Sequence, residues 1–330
     1  MKEFLKQFRL VRDLSAFRKD AWRSFKNNPD FLDRFEQWRF RSAQAAIILS
    51  EPTSQEAQLI EELRVRVRAL PPLVPDETTS EAGTVWMSYK NRLREHLLTE
   101  DPRRFQEWSE IIGTMNAGLN RRNYNTLSHF PFWPEWRGRL SSPKIKNQYG
   151  SFKFPSVDAA TMQQVYHLGR LKHIGGVDIR EQELVLEFGA GFGAMCLAAR
   201  ALGFVGTYVI YDWAEFCLLQ EFYFKWHGVD TSNIVFVSDF TKLQEVMNEK
   251  HGLFIAMWSI SESGEDVRDE LFSIINPSAY LIGYQRMFGK VDNNTYFKKL
   301  ADARPTIEWH DTVCPHLPGE GNRYLIGKAK

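Results

Sequence analysis

Cysteine is scarce in this chain. Cys196, Cys217 and Cys314 are the only three in 330 residues, and they do not stand at metal-ligand spacing. That excludes a disulfide-stapled scaffold and a cysteine zinc site; two of the three fall in expected helices, where Cys acts as a small hydrophobe. A reducing, cytoplasmic setting fits this usage. Charge of one sign is missing too: at +1 overall, the chain has no electrostatic footprint for nucleic acid. No run of about 18 apolar residues occurs. The nearest stretch, 184–210, is broken by Glu187 and Arg200, so no transmembrane segment is expected. The first residues, MKEFLKQFRLVRDLSAF, lack the apolar core and small-residue cleavage site of a secretory signal. Asp, Glu and His never cluster at metal-site spacing, so no obligatory metal is expected. Internal repeats and low-complexity stretches are absent.

Aromatic residues, by contrast, are plentiful at 14%, with 24 Phe and 10 Trp. Large cores and helix interfaces account for such a share, and an aromatic-lined site for a sugar or other ring is the alternative. Charge is also unevenly divided. Residues 1–150 hold 25 Lys/Arg against 19 Asp/Glu, and residues 151–330 hold 17 against 22. Two domains of different character follow from this, a helical N-terminal domain over 1–118 and a second over 151–330. In the first, Phe4, Phe8, Val11 and Leu14 recur at helical spacing, and further helices are expected at about 29–50, 52–70, 80–98 and 102–116. The string RVRVR at 64–68 alternates with period two and leaves a strand open there. Between the domains, 119–150 mixes Asn, Pro, Ser and Arg with aromatics and reads as an ordered connector packing its rings on one domain or the other.

From Asp158 onward the rhythm changes. A helix of about 17 residues leads into short apolar strands alternating with amphipathic helices: VLEF (185–188), TYVIY (207–211), IVFV (234–237), LFIAMW (253–258) and AYLIGYQ (279–285). Two last strands, TIEWHD (306–311) and NRYLIGK (322–328), have no helix between them and should pair antiparallel. The fold class expected is α/β, a Rossmann-like seven-stranded methyltransferase sheet with an N-terminal all-helical domain.

The segment EFGAGFGAM carries the clearest chemistry. Gly189, Gly191 and Gly193 follow a strand and open a helix, where a missing Cβ lets the turn tighten and a nucleotide cofactor approach the backbone. Asp212, 25 positions after Glu187, ends the next strand and can accept hydrogen bonds from both ribose hydroxyls. Dinucleotides and S-adenosylmethionine share that ribose. Two details favour S-adenosylmethionine. Glu187, two residues before the first glycine, suits a cationic amino-acid tail and would repel a pyrophosphate. Ala194 breaks the dinucleotide spacing GxGxxG. Asp239, beyond the third strand, is placed either to accept from the adenine amino group or to cap the following helix. Trp213 could cover the adenosine or belong to the core.

The run EFGAGFGAM, then VIYDWAEFCLLQEFYFKWHG, then WSISESGEDV, resembles the bacterial sugar O-methyltransferases over about residues 150–330. The resemblance implies methyl transfer from S-adenosylmethionine to a sugar or glycan hydroxyl, with the acceptor over the carboxyl ends of the strands. A base there would help a weakly nucleophilic hydroxyl. Glu262, after the fourth strand, is the first candidate, and its alternative role is the first-turn acid of a helix. His316, in the Pro- and Gly-rich CPHLPGEGN, is the second candidate. Tyr149 could close over the cofactor. Two rival functions share these features: a nicotinamide-dependent oxidoreductase and a non-catalytic binding module on the same fold. The helical part could serve as a homo-oligomerisation arm, an acceptor cap or a docking surface.

Overall fold

The computed structural model describes residues 50–73, 81–115, 121–140, 150–151, 154–248, 250–315, 317 and 321–330. The helices expected within 1–49 and the candidates Tyr149 and His316 lie outside them. α1 (Ser54–Arg68) begins at a capping box, in which the Thr53 hydroxyl accepts from Glu56 N and the Glu56 carboxylate accepts from Thr53 N. The RVRVR string is helical: Val67 is buried, whereas Val65 lies on the outer side, 54% exposed. α2 (Glu81–Thr99) follows. The helix expected at 102–116 is split into a 3-10 turn (Pro102–Glu107) and the short α3 (Ser109–Thr114), because Trp108 between them is extended. The connector, which shows no helical rhythm in sequence, forms α4 (Arg121–Ser128) and α5 (Trp133–Leu140), with Trp133 and Trp136 buried.

A two-strand ribbon, β1 (Gly150–Ser151) and β2 (Phe154–Asp158), leads into α6 (Ala159–Gly175). The order is then β3 (Leu184–Phe188), α7 (Ala194–Leu202), β4 (Thr207–Tyr211), α8 (Ala214–Trp226), β5 (Ile234–Val237), α9 (Phe240–Met247), β6 (Leu253–Met257), α10 (Glu265–Ile274) and β7 (Ala279–Gln285). A hairpin the sequence pattern does not announce, β8 (Met287–Phe288) with β9 (Val291–Asp292), precedes α11 (Asn293–Asp302), β10 (Ile307–Val313) and β11 (Asn322–Ala329).

Seven of these strands form one sheet in the order β10-β11-β7-β6-β3-β4-β5. The five central and first-edge strands run parallel, and β11 is antiparallel to both β7 and β10. This is the Rossmann-like α/β sheet with a terminal antiparallel pair. Burial along the last two strands follows their places in the sheet. β11 carries the continuous buried run Tyr324 to Gly327, as a strand covered on both faces requires. β10 buries Ile307 alone and leaves Glu308, Asp311 and Val313 exposed, which suits an edge.

The two faces of the sheet hold separate cores. Val185, Tyr208, Ile210, Ile255 and Leu281 pack against α6, α7 and α8. Leu186, Val209, Phe254 and Ile282 pack against α9, α10 and α11. The helices before β1 lie on the first side: Ile60, Leu63 and Val67 of α1 and Leu93 and Leu97 of α2 share one apolar cluster with α7 and α8. Arg66 reaches Glu221 at 2.6 Å, and the Trp226 indole N–H donates to Glu56 at 2.9 Å. Among the described residues no helix is long and apolar enough to cross a membrane.

Candidate active site at the carboxyl end of the sheet

At the end of the central strand β3 the chain turns through three glycines with left-handed φ, +68° at Gly189, +60° at Gly191 and +90° at Gly193. An L-residue pays about 1–2 kcal/mol at each such position. Space excludes a side chain as well: a Cβ on Gly193 would lie 2.5 Å from Phe224 Cζ, and one on Gly189 would collide with Ser259. The loop is fastened by Gly189 N–H donating to Tyr211 O at 2.8 Å and Gly193 N–H donating to Ala190 O at 2.9 Å.

Asp212 closes the other side of the loop. Its Oδ2 accepts from Gly191 N at 3.1 Å and from Gln220 Nε2 at 2.9 Å, and its Oδ1 accepts from Trp213 N at 2.8 Å. Gln220 also donates to Gly191 O at 2.7 Å, so one buried amide ties the glycine turn to the strand-end acid. Desolvation pushes the Asp212 carboxyl up to about 7, against the pull of these donors. Nothing in the sequence pattern marks Gln220, which sits mid-helix on α8.

Glu187 lies inward of the loop rather than beside it. Its side chain faces α7 and is 4% exposed, and the Tyr208 hydroxyl donates to its Oε2 at 2.8 Å. Burial, with the neighbouring charge of Asp212, pushes this carboxyl up to about 8, the Tyr208 hydrogen bond opposing. Asp239 caps α9, accepting from Lys242 N at 2.7 Å through Oδ1, and is exposed. Trp213 is half-buried, with Trp86 of α2 edge-on at 5.5 Å and Lys90 Nζ 5.1 Å from its ring.

The second wall follows β6. Trp258 has a φ of +66°, the one non-glycine positive value among the described residues. Its strained backbone is held by N–H donation to Gly283 O at 2.8 Å and indole donation to Asn322 Oδ1 at 3.0 Å. Glu262 ends a 3-10 turn (Ile260–Glu262), and burial pushes its carboxyl up to about 7 while a hydrogen bond from Gln285 opposes. Ser261 Oγ donates to Gln285 Oε1 at 2.8 Å, which orients that amide.

Behind this turn sits Arg268, fully buried on α10. It donates to Ser261 O at 2.8 Å, Ser263 O at 3.0 Å and Asn293 Oδ1 at 2.7 Å, and its guanidinium lies 4.9 Å from the Tyr296 ring centre. Asn293 in turn donates to Ser261 O and Gln285 O. A buried cation held by carbonyls and rings is costly to keep, and here it fixes the turn that carries Glu262. Arg268 and Asn293 read in sequence as ordinary helix residues.

The structure therefore gathers Gly189, Gly191, Gly193, Asp212 and Trp213 at one end of β3 and β4. Glu187 lies beneath them, Asp239 stands at the head of α9, and Glu262 follows β6 with Gln285. Among the described residues no three His, Cys, Asp or Glu side chains gather as a metal site would require.

No family model matches this chain, and no curated protein does. Solved structures do resemble it. An O-methyltransferase from Bacillus cereus in complex with SAH is 15% identical, with 67% of this chain and 95% of that one covered and a TM-score of 0.39. The mitomycin 7-O-methyltransferase MmcR is 9% identical over 84% of this chain and 76% of its own, with a TM-score of 0.37. TrmK from M. capricolum, in complex with S-adenosyl-homocysteine, is 12% identical over 49% and 67%, with a TM-score of 0.36. Likenesses this distant carry no argument about what the present chain binds or does.

Proposed function

We propose that this chain is an S-adenosylmethionine-dependent methyltransferase that O-methylates a sugar or glycan hydroxyl. One observation carries the reading: at the centre of a parallel sheet ending in an antiparallel pair, a triple-glycine turn closes on the carboxylate of Asp212. The donors and acceptors there fit the cofactor. Asp212 suits the ribose hydroxyls, exchanging them for protein donors it now holds. Trp213 suits one face of the adenosine, and the free Oδ2 of Asp239 suits the adenine amino group. Glu187 acts from beneath, keeping negative potential under the glycine turn whenever it is ionised. Bound there, S-adenosylmethionine supplies a methyl group already activated by its sulfonium. The protein's remaining task is alignment of the acceptor for in-line attack.

Glu262 is the proposed base for the acceptor hydroxyl. Its raised carboxyl titrates near neutrality, where a base both accepts a proton and is ionised often enough to do so. Gln285 and the Arg268–Asn293 brace keep it aimed. His316 is the second candidate for this role. The functional division runs from a helical part over 1–118, through a connector over 119–150, to the cofactor-binding part over 151–330. The first part frames the acceptor or a second copy of the chain.

Isothermal titration with S-adenosylmethionine, S-adenosylhomocysteine and NAD tests the proposal. Binding of the first two without NAD is expected; NAD binding with no response to the others would replace methyl transfer by hydride transfer.

A further inference from the structure

The space beside Gly191 is already taken. A Cβ there would lie 2.9 Å from Met115 Sδ and 3.3 Å from its Cγ. Met115 follows α3 directly, its N–H donating to Ile111 O at 2.9 Å. The helix that presents it is anchored. The side chain of Glu110 is fully buried and meets His96 Nδ1 of α2 at 2.7 Å, and Thr114 Oγ1 donates to Glu110 O at 2.5 Å. The same N-terminal layer touches the other walls of the cradle. Phe105 packs on Phe192 of the glycine turn at 5.3 Å, and Trp86 packs on Trp213. Arg94 and Lys90 pair with Glu215, three residues beyond Asp212.

Glycine at 191 lets a ligand approach the backbone only if the atoms facing it can leave. Met115 is suited to leave: its three side-chain torsions and lack of branching make alternative rotamers accessible, whereas the aromatic neighbours are fixed by packing. Resting on the cofactor reading above, we propose that Met115 is a displaceable occupant of the cofactor cradle, so that S-adenosylmethionine and the N-terminal helical layer compete for the face of Gly191. The apparent affinity for the cofactor is then lowered by the fraction of molecules in which Met115 holds the space.

Titration of the full chain with S-adenosylhomocysteine tests this in three proteins: wild type, Met115→Ala and Met115→Leu. Removing the occupant should tighten binding about three- to tenfold in the Ala variant, and the bulk-preserving Leu variant should stay within about twofold of wild type. Weaker or unchanged binding by the Ala variant overturns the proposal while leaving the cofactor reading intact. Binding by none of the three removes both. A second measurement needs no substitution: peroxide oxidation of Met115, followed by peptide mass with the other methionines as references. Oxidation should speed up when S-adenosylhomocysteine is present, since displacement moves the half-buried thioether toward solvent. Protection or no change overturns the proposal.

Discussion

Glu187→Gln offers a quantitative test of how the cradle is built. The carboxyl of Glu187 is raised from the ordinary 4.5 to about 8 because it is buried with one hydroxyl donor. The native state therefore holds this proton more tightly than the unfolded chain. Its contribution to stability is complete below 4.5 and drains away as pH rises through about 8. Integrating that linkage between about pH 6 and about pH 8 gives a loss of about 2 kcal/mol from this one group. Gln keeps an acceptor for the Tyr208 hydroxyl and cannot ionise, so the variant should lack that loss. Asp212 and Glu262, both raised to about 7, add a slope of the same sign in both proteins, so the difference between the two slopes reports Glu187 together with its coupling to Asp212. Asp178, lowered to about 2, acts only in acid and in the opposite direction. Guanidinium unfolding of wild type and variant at the two pH values is the assay. Equal slopes would refute the claim that an uncompensated acid lies under the glycine turn.

Three further outcomes are expected. Asp212→Ala should abolish most S-adenosylhomocysteine binding in calorimetry with the far-ultraviolet dichroism unchanged; retained affinity would move the ribose elsewhere. Arg268→Met should destabilise by about 3 kcal/mol in chemical denaturation, because it strands the buried Asn293 Oδ1 and the part-buried Ser263 O and leaves Ser261 O with Asn293 as its one donor; a loss below about 1 kcal/mol would show that the brace is dispensable. Gly193→Ala should cost roughly 3 kcal/mol, combining left-handed strain with the collision against Phe224, and a neutral substitution would mean the turn relaxes freely.

The strands of the sheet are legible because each is a short apolar run bounded by turn residues. TYVIY and IVFV fold over the very residues their pattern marks, 207–211 and 234–237. LFIAMW ends one residue early because Trp258 swings into left-handed backbone, a choice made by its partners Gly283 and Asn322 rather than by local preference. The connector is the opposite case. Its helices are too short for periodicity to emerge, and burial of Trp133 and Trp136 against the rest of the molecule stabilises them. In the site, the glycines and Asp212 announce themselves through spacing. Gln220, Arg268, Asn293 and Met115 do not, since each matters only through what it touches across the fold.

By itself, the sequence determined the alternation of strand and helix, the position of the glycine turn and the acid that ends the next strand. These depend on side-chain polarity and backbone freedom over a few neighbouring residues. The tertiary structure alone decided that β11 lies inside β10, that Glu187 is sealed beneath the loop with Tyr208, and that Met115 faces Gly191 from a different part of the chain. Desolvation and steric exclusion are properties of packed atoms, and the residues that impose them here are far apart in sequence.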